Sequence, residues 1–176
     1  KTTTKELIHV VLAASYKVKA TKGNLNNHIG VPLTLLSFTK DLEFGIVEMG
    51  ANHLKEIEFL CEIAQPDYGL ITNFGKAHLE GFGGVEGVIK GKSELYDYLL
   101  TNDKHVFLNA DDPIQKKKLS TYIKKFGFSE TDNRYYNIKF IEANPFVKLQ
   151  FEDETVSTKL IGAYNFTNCA IATLMG

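Results

Sequence analysis

The sequence has no tryptophan, only two cysteines and four prolines, no surplus of either charge, and no apolar run of bilayer length. Each shortage removes a class of function. Twenty basic against twenty-one acidic side chains leave no net field to hold a polyanion, and the longest basic run, Lys116-Lys117-Lys118, follows a turn-forming Asp112-Pro113. Nucleic acid is therefore not an expected partner, and neither is an anionic membrane surface. Cys61 and Cys169 lie in apolar stretches and form neither a metal-ligand spacing nor a disulfide-dense pattern, so both read as reduced core thiols. Without an apolar stretch of about 20 residues, no stable membrane insertion is expected. With no charged-then-apolar leader, the expected compartment is the cytoplasm. Asn165-Phe166-Thr167 matches a glycosylation acceptor, a triplet too frequent by chance to displace that expectation.

What is present suits one globular domain: 176 residues, 44% of them apolar and 23% charged. Leu7, Ile8, Val11 and Leu12, with the methyl-bearing Thr4, fall at helical spacing, so the chain opens into an amphipathic helix. Its first amides have no capping residue before them, and the sequence is expected to begin inside a motif. An extended piece over residues 17–21 leads to a loop with Gly23, Asn24, Asn26 and Asn27, then to a helix ending near Phe38. Residues 44–49 form the clearest strand, an apolar run that closes on Glu48 and then Gly50. Helix 53–64, strand 68–72, a glycine-rich loop, helix 85–100 and strand 105–108 follow. This alternation predicts an α/β fold with a mostly parallel sheet flanked by helices. Beyond Lys118, residues 135–141, 146–151 and 155–161 read as a small antiparallel β meander, and residues 164–175 as a last helix.

The polar residues of interest stand at strand ends, where ligands of open parallel sheets bind. Lys1-Thr2-Thr3-Thr4 at a helix start has the form of the end of a phosphate-binding loop, in which lysine reaches the β and γ phosphates and the next hydroxyl binds magnesium. The bland alternative is a surface helix start, since the diagnostic glycines do not occur here. Glu48 is either an ion-pair partner at the sheet rim or a magnesium ligand. His78 is either a surface histidine or a site residue, in a run from Asn73 to Gly84 that is too rich in glycine for mere connection.

Five blocks, in this order, resemble the Mur ligases over essentially the whole chain: Lys1-Thr2-Thr3-Thr4-Lys5; Asn24-Leu25-Asn26-Asn27-His28-Ile29-Gly30-Val31-Pro32-Leu33-Thr34; Glu48-Met49-Gly50-Ala51-Asn52; residues 71–83 with His78-Leu79-Glu80-Gly81-Phe82-Gly83; and Gly162-Ala163-Tyr164-Asn165 followed by Asn168. The third and fourth blocks look most like the member that adds D-alanyl-D-alanine to UDP-muramoyl tripeptide. The resemblance implies a P-loop-type central ATPase domain of a three-domain, ADP-forming ligase. The UDP-sugar domain and the domain for the incoming amine would lie outside this sequence, and the isolated piece is expected to be inactive. It also implies ATP and two magnesium ions. Lys1 would bind phosphate, with Thr2 and Thr3 beside it. Thr2 and Glu48 would hold one ion, while His78 and a carbamylated Lys92 would hold the other. Lys90, two residues away, is the alternative register, and Lys92-Ser93-Glu94 favours Lys92. Tyr164 stands where the family usually has a histidine that stacks on adenine, and an aromatic ring preserves stacking. Asn165 would meet the adenine edge, with Asn109 and Asp111 bordering it, although Asn109 also suits a plain turn. Asn26 and Asn27 would face phosphate or substrate. A sister ligase, a folate-polyglutamating relative, or a nucleotide-binding regulatory domain are the alternatives. The pairing of Glu48 and His78 with a spaced Lys92 argues against the last, since ATP binding alone needs no second metal.

Overall fold

The computed structural model describes residues 1–75 and 79–176. Helix α1 (Thr2–Leu12) is followed by strand β1 (Val18–Ala20), helix α2 (Gly30–Leu36) and strand β2 (Phe44–Ile46). Helix α3 (Glu56–Ala64), strand β3 (Tyr68–Leu70), the single turn α4 (Leu79–Phe82), helix α5 (Val85–Thr101) and strand β4 (His105–Asn109) come next. The rest comprises α6 (Pro113–Lys118), β5 (Lys125–Ser129), β6 (Tyr136–Ala143), β7 (Phe146–Phe151), β8 (Glu154–Ile161), a 3₁₀ turn (Ala163–Asn165) and α7 (Phe166–Met175).

Strands β1 and β2 pair in parallel, with Val18 opposite Phe44. The other six form one sheet in sequence order. Its β3-β4-β5-β6 part is parallel and its β6-β7-β8 part antiparallel. The expected antiparallel meander is present and continues the main sheet, since Phe128 of β5 lies opposite Tyr136 of β6.

The period-two alternation of strands explains how the sheet is covered. In β4, Val106 and Leu108 point to the face that buries Tyr96 and Leu99 of α5, whereas Phe107 packs on the other face with the cluster around Cys169, Ala170 and Ile171 of α7. A third cluster, Val31, Ile57, Leu60 and Cys61, joins α2 to α3 beside Val47 and Met49. Both cysteines are free and buried, and burial pushes the Cys61 thiol up to about 12. Leu99 is fully buried, so Leu99→Ala is expected to lower the unfolding free energy by about 3 kcal/mol in chemical denaturation.

Two local features depart from expectation. Asp112-Pro113 opens a helix rather than a turn: Asp112 Oδ1 accepts from the amides of Ile114 (2.9 Å) and Gln115 (3.2 Å), and proline suits the first helical position. Strand β5 carries Lys125 and Gly127 in five residues, which hides its pattern. Gly127 is there because a β-carbon would come within 2.8 Å of both Leu108 and Tyr135. Among the described residues no helix is long and apolar enough to cross a membrane.

Candidate functional site

Glu48 lies two residues beyond β2 and is 7% exposed. Its amide donates to Thr21 Oγ1 (2.9 Å) at the end of β1, which sets the backbone. Its Oε1 accepts from Asn26 Nδ2 at 2.9 Å and stands 3.4 Å from Thr2 Oγ1 in the first turn of α1. The Asn26 carbonyl in turn accepts from the Gly50 amide at 2.7 Å, and a β-carbon on Gly50 would come within 2.9 Å of the Asn26 side chain. Glycine at position 50 is thus what lets Asn26 reach the carboxylate. The second oxygen, Oε2, is buried and has no hydrogen-bond partner among the described residues. An unpaired buried carboxylate oxygen is costly unless a cation meets it.

Lys92, on α5, lines the same cavity as Glu48. Its ammonium donates to the Asn73 carbonyl, 2.9 Å away, just past β3. Burial holds the Lys92 pKa below the usual lysine range, and the charge of Lys1 lowers it further. Lys1, Glu48, Asn73 and Lys92 all line one cavity of about 940 Å³. Lys90 is exposed and does not line it. His78 lies outside the described residues. The orientation of α5 is fixed by Glu94, two residues after Lys92, whose carboxylate accepts from the amides of Lys55 (2.6 Å) and Glu58 (3.1 Å) and so caps α3.

The residues expected around a nucleotide base occupy a second neighbourhood. Thr4 Oγ1 donates to Asn168 Oδ1 (2.8 Å), Asn168 Nδ2 to Asn165 Oδ1 (3.0 Å), and Asn165 Nδ2 to the Ile161 carbonyl (3.0 Å). This relay ties the start of α1 to the start of α7. Tyr164, beside it, is 82% exposed, and a β-carbon on Gly162 (φ 88°) would come within 2.4 Å of its ring. The ring therefore presents a free face next to the relay. Asn109 closes β4 and accepts from the Asp111 amide at 3.0 Å, the arrangement of a turn. Asp111 accepts from the Ser129 hydroxyl and the Glu130 amide, bracing the ends of β4 and β5. Asn27 Oδ1 accepts from the amides of Ile29 and Gly30, at the entry to α2. Thr3 is exposed in the first turn of α1, where no side chain caps the helix.

Thr21 and Asn73 escaped the sequence reading although one sets Glu48 and the other anchors Lys92. Both are polar residues just past short strands, the same signal that singled out Glu48.

A model of the Mur ligase middle domain matches residues 1–176. The chain belongs to the Mur ligase middle-domain family. Among relatives of this middle domain, the UDP-N-acetylmuramoyl-tripeptide–D-alanyl-D-alanine ligase of Bacillus subtilis is 32% identical over 177 residues, covering 100% of this chain and 38% of the relative. MurF from Acinetobacter baumannii superposes with a TM-score of 0.84 at 31% identity, covering 99% of this chain and 39% of that one. MurF from Thermotoga maritima, solved in complex with ADP, gives a TM-score of 0.80 at 29% identity, covering 97% and 41%. The Mur ligase middle domain thus spans about two fifths of the length of these proteins.

A magnesium ion fits the donor set. Among the described residues no three histidine, cysteine, aspartate or glutamate side chains cluster. Magnesium needs no such cage, since it takes one or two protein oxygens and fills its shell with phosphate and water. Glu48 Oε2 supplies one such oxygen, and the Thr2 hydroxyl lies on the same carboxylate.

Proposed function

We propose that this chain is the ATP-binding middle domain of a three-domain, ADP-forming ligase that joins D-alanyl-D-alanine to UDP-N-acetylmuramoyl-tripeptide. The observation that carries the reading is the buried Glu48 Oε2, which has no hydrogen-bond partner among the described residues, beside the first turn of α1 in a cavity shared with Lys1 and Lys92. The similarity to ligases of that name supports the substrate assignment.

In this reading the tripeptide carboxylate attacks the γ-phosphorus of ATP, giving an acyl phosphate and ADP. The amine of D-alanyl-D-alanine then adds to the acyl carbon, and the tetrahedral species expels phosphate and a proton to leave the amide. The protein must hold polyanions close together. Lys1 and the free amides of α1 bind the phosphates. Thr2 and Glu48 hold one magnesium, and His78 with carbamylated Lys92 holds a second. The ions supply charge neutralisation for the phosphoryl group and the carboxylate. Asn26 keeps Glu48 turned so that Oε2 remains available. Tyr164 stacks on adenine, with Asn165, Asn109 and Asp111 along its border, while Thr3 and Asn27 lie at the phosphate and substrate side.

Two experiments test this reading. The full-length enzyme, given UDP-muramoyl tripeptide, ATP and D-alanyl-D-alanine, should form the pentapeptide product and ADP in equal amounts. Use of a single amino acid in place of the dipeptide would instead assign a sister ligase. Asn26→Ala is expected to weaken binding of manganese, a spectroscopic stand-in for magnesium, by about 10-fold, because it frees the Glu48 carboxylate to rotate. Titration by electron paramagnetic resonance reads this directly, and unchanged affinity would remove Asn26 from the account.

A further inference from the structure

Lys5 lines the same cavity as Glu48 and Lys92, yet its side chain is only 3% exposed. Its ammonium donates to the Thr21 carbonyl, just past β1, and pairs with Glu6 at 2.8 Å. The Glu6 carboxylate is 60% exposed, so water screens that pair, and a peptide carbonyl carries no charge to balance a cation. Burying an ammonium in such company costs stability, and a methionine of nearly the same length would fill the space without that cost. Stability therefore does not account for lysine at this position.

The partner shows what the ammonium holds. Thr21 is 1% exposed and all three of its polar groups are engaged. Its amide donates to the Ile46 carbonyl (2.9 Å), its hydroxyl accepts from the Glu48 amide (2.9 Å), and its carbonyl accepts from Lys5. Lys5 in turn belongs to the first turn of α1, where its amide donates to the Lys1 carbonyl at 2.9 Å. Thr4 fastens this turn to α7 through Asn168, and Lys5 fastens it to the β1–β2 pair. Among the described residues, the turn has one other polar contact with that pair, the 3.4 Å approach of the Thr2 hydroxyl to Glu48 Oε1. A contact of that length is too weak to fix a geometry. The charge-assisted bond from Lys5 is the stronger of the two, so it sets how far Thr2 stands from Glu48.

We propose that Lys5 is a positioning residue of the metal site, acting through Thr21 to hold the Thr2 hydroxyl on α1 and the Glu48 carboxylate beyond β2 at the separation that one magnesium ion requires. The inference rests on the reading of Thr2 and Glu48 as ligands of that ion. Magnesium keeps its oxygens at about 2.1 Å in a near-ideal octahedron, so two ligands carried by separate elements must be clamped to serve it together.

The test is manganese binding to the full-length protein without nucleotide, titrated by electron paramagnetic resonance. Lys5→Met is expected to weaken binding by about 10-fold while the melting temperature stays equal or rises slightly. The sign separates positioning from charge, because loss of a nearby positive charge would by itself tighten binding of a cation. In a Glu48→Gln background, Lys5→Met should have no further effect, since the ligand it positions is already gone. Unchanged or tighter binding in Lys5→Met overturns the proposal. So does a loss that persists in the Glu48→Gln background, or loss of the folded state in Lys5→Met, which would make Lys5 a residue of the core. Equal affinity of the unmodified protein and Glu48→Gln would instead remove Glu48 from the metal site, and the role of Lys5 with it.

Discussion

Lys92→Ala in the full-length enzyme is expected to lower turnover by on the order of 1000-fold at saturating ATP and magnesium, with the fold intact. The lysine is half-buried on α5 and its one hydrogen bond among the described residues goes to a backbone carbonyl, so its loss opens no core cavity. Under the proposed function, what is lost is a metal-binding group. An ammonium repels a cation, but the neutral amine adds to carbon dioxide and releases one proton, which leaves a carboxylate at the end of a lysine stem. Burial lowers the Lys92 pKa, and this increases the neutral fraction at any given pH. The sign follows: activity should fall as pH drops and the amine protonates, and it should fall on removal of dissolved carbon dioxide. In Lys92→Ala, acetate should restore part of the rate, while chloride at equal ionic strength should not. Lys90→Ala is the control, since Lys90 is exposed and should leave the rate unchanged. Full activity of Lys92→Ala without added acid would falsify the assignment, and loss with rescue at position 90 would move the ligand by two residues.

Glu48→Gln is expected to cut turnover by a comparable factor, again on the order of 1000-fold, while leaving the melting temperature equal or slightly higher. The substitution keeps shape, and the amide oxygen can still accept from Asn26 at the place of Oε1. It removes a buried charge whose second oxygen has no partner among the described residues, a group that destabilises the fold when no cation is bound. Stability and catalysis should therefore move independently. Manganese affinity should drop along with turnover. Near-normal turnover and affinity in Glu48→Gln would reduce Glu48 to a residue of the sheet rim.

The alternation of apolar strands with amphipathic helices made most of the α/β core legible, because a parallel sheet covered by helices on both faces calls for apolar runs such as that of β4. Strand β5 was not legible, since Lys125 and Gly127 interrupt a pattern that only packing against Leu108 and Tyr135 explains. Glu48 stood out as an acid closing a strand, and the structure adds why it points where it does, through Thr21, Asn26 and Gly50. Those contacts span 22 to 27 residues of sequence and leave no local pattern. Asn165 shows the same limit. Its place at a helix start was readable, but the relay through Asn168 to Thr4 joins residues 164 positions apart.

The central claim is that the residues around Glu48 and Lys92 serve phosphorylation of a carboxylate ahead of amide formation. The most direct measurement follows oxygen. With UDP-muramoyl tripeptide labelled with ¹⁸O in its terminal carboxylate, the full-length enzyme, ATP and D-alanyl-D-alanine should release inorganic phosphate carrying one ¹⁸O for each amide formed. Unlabelled phosphate accompanying amide formation would contradict the account.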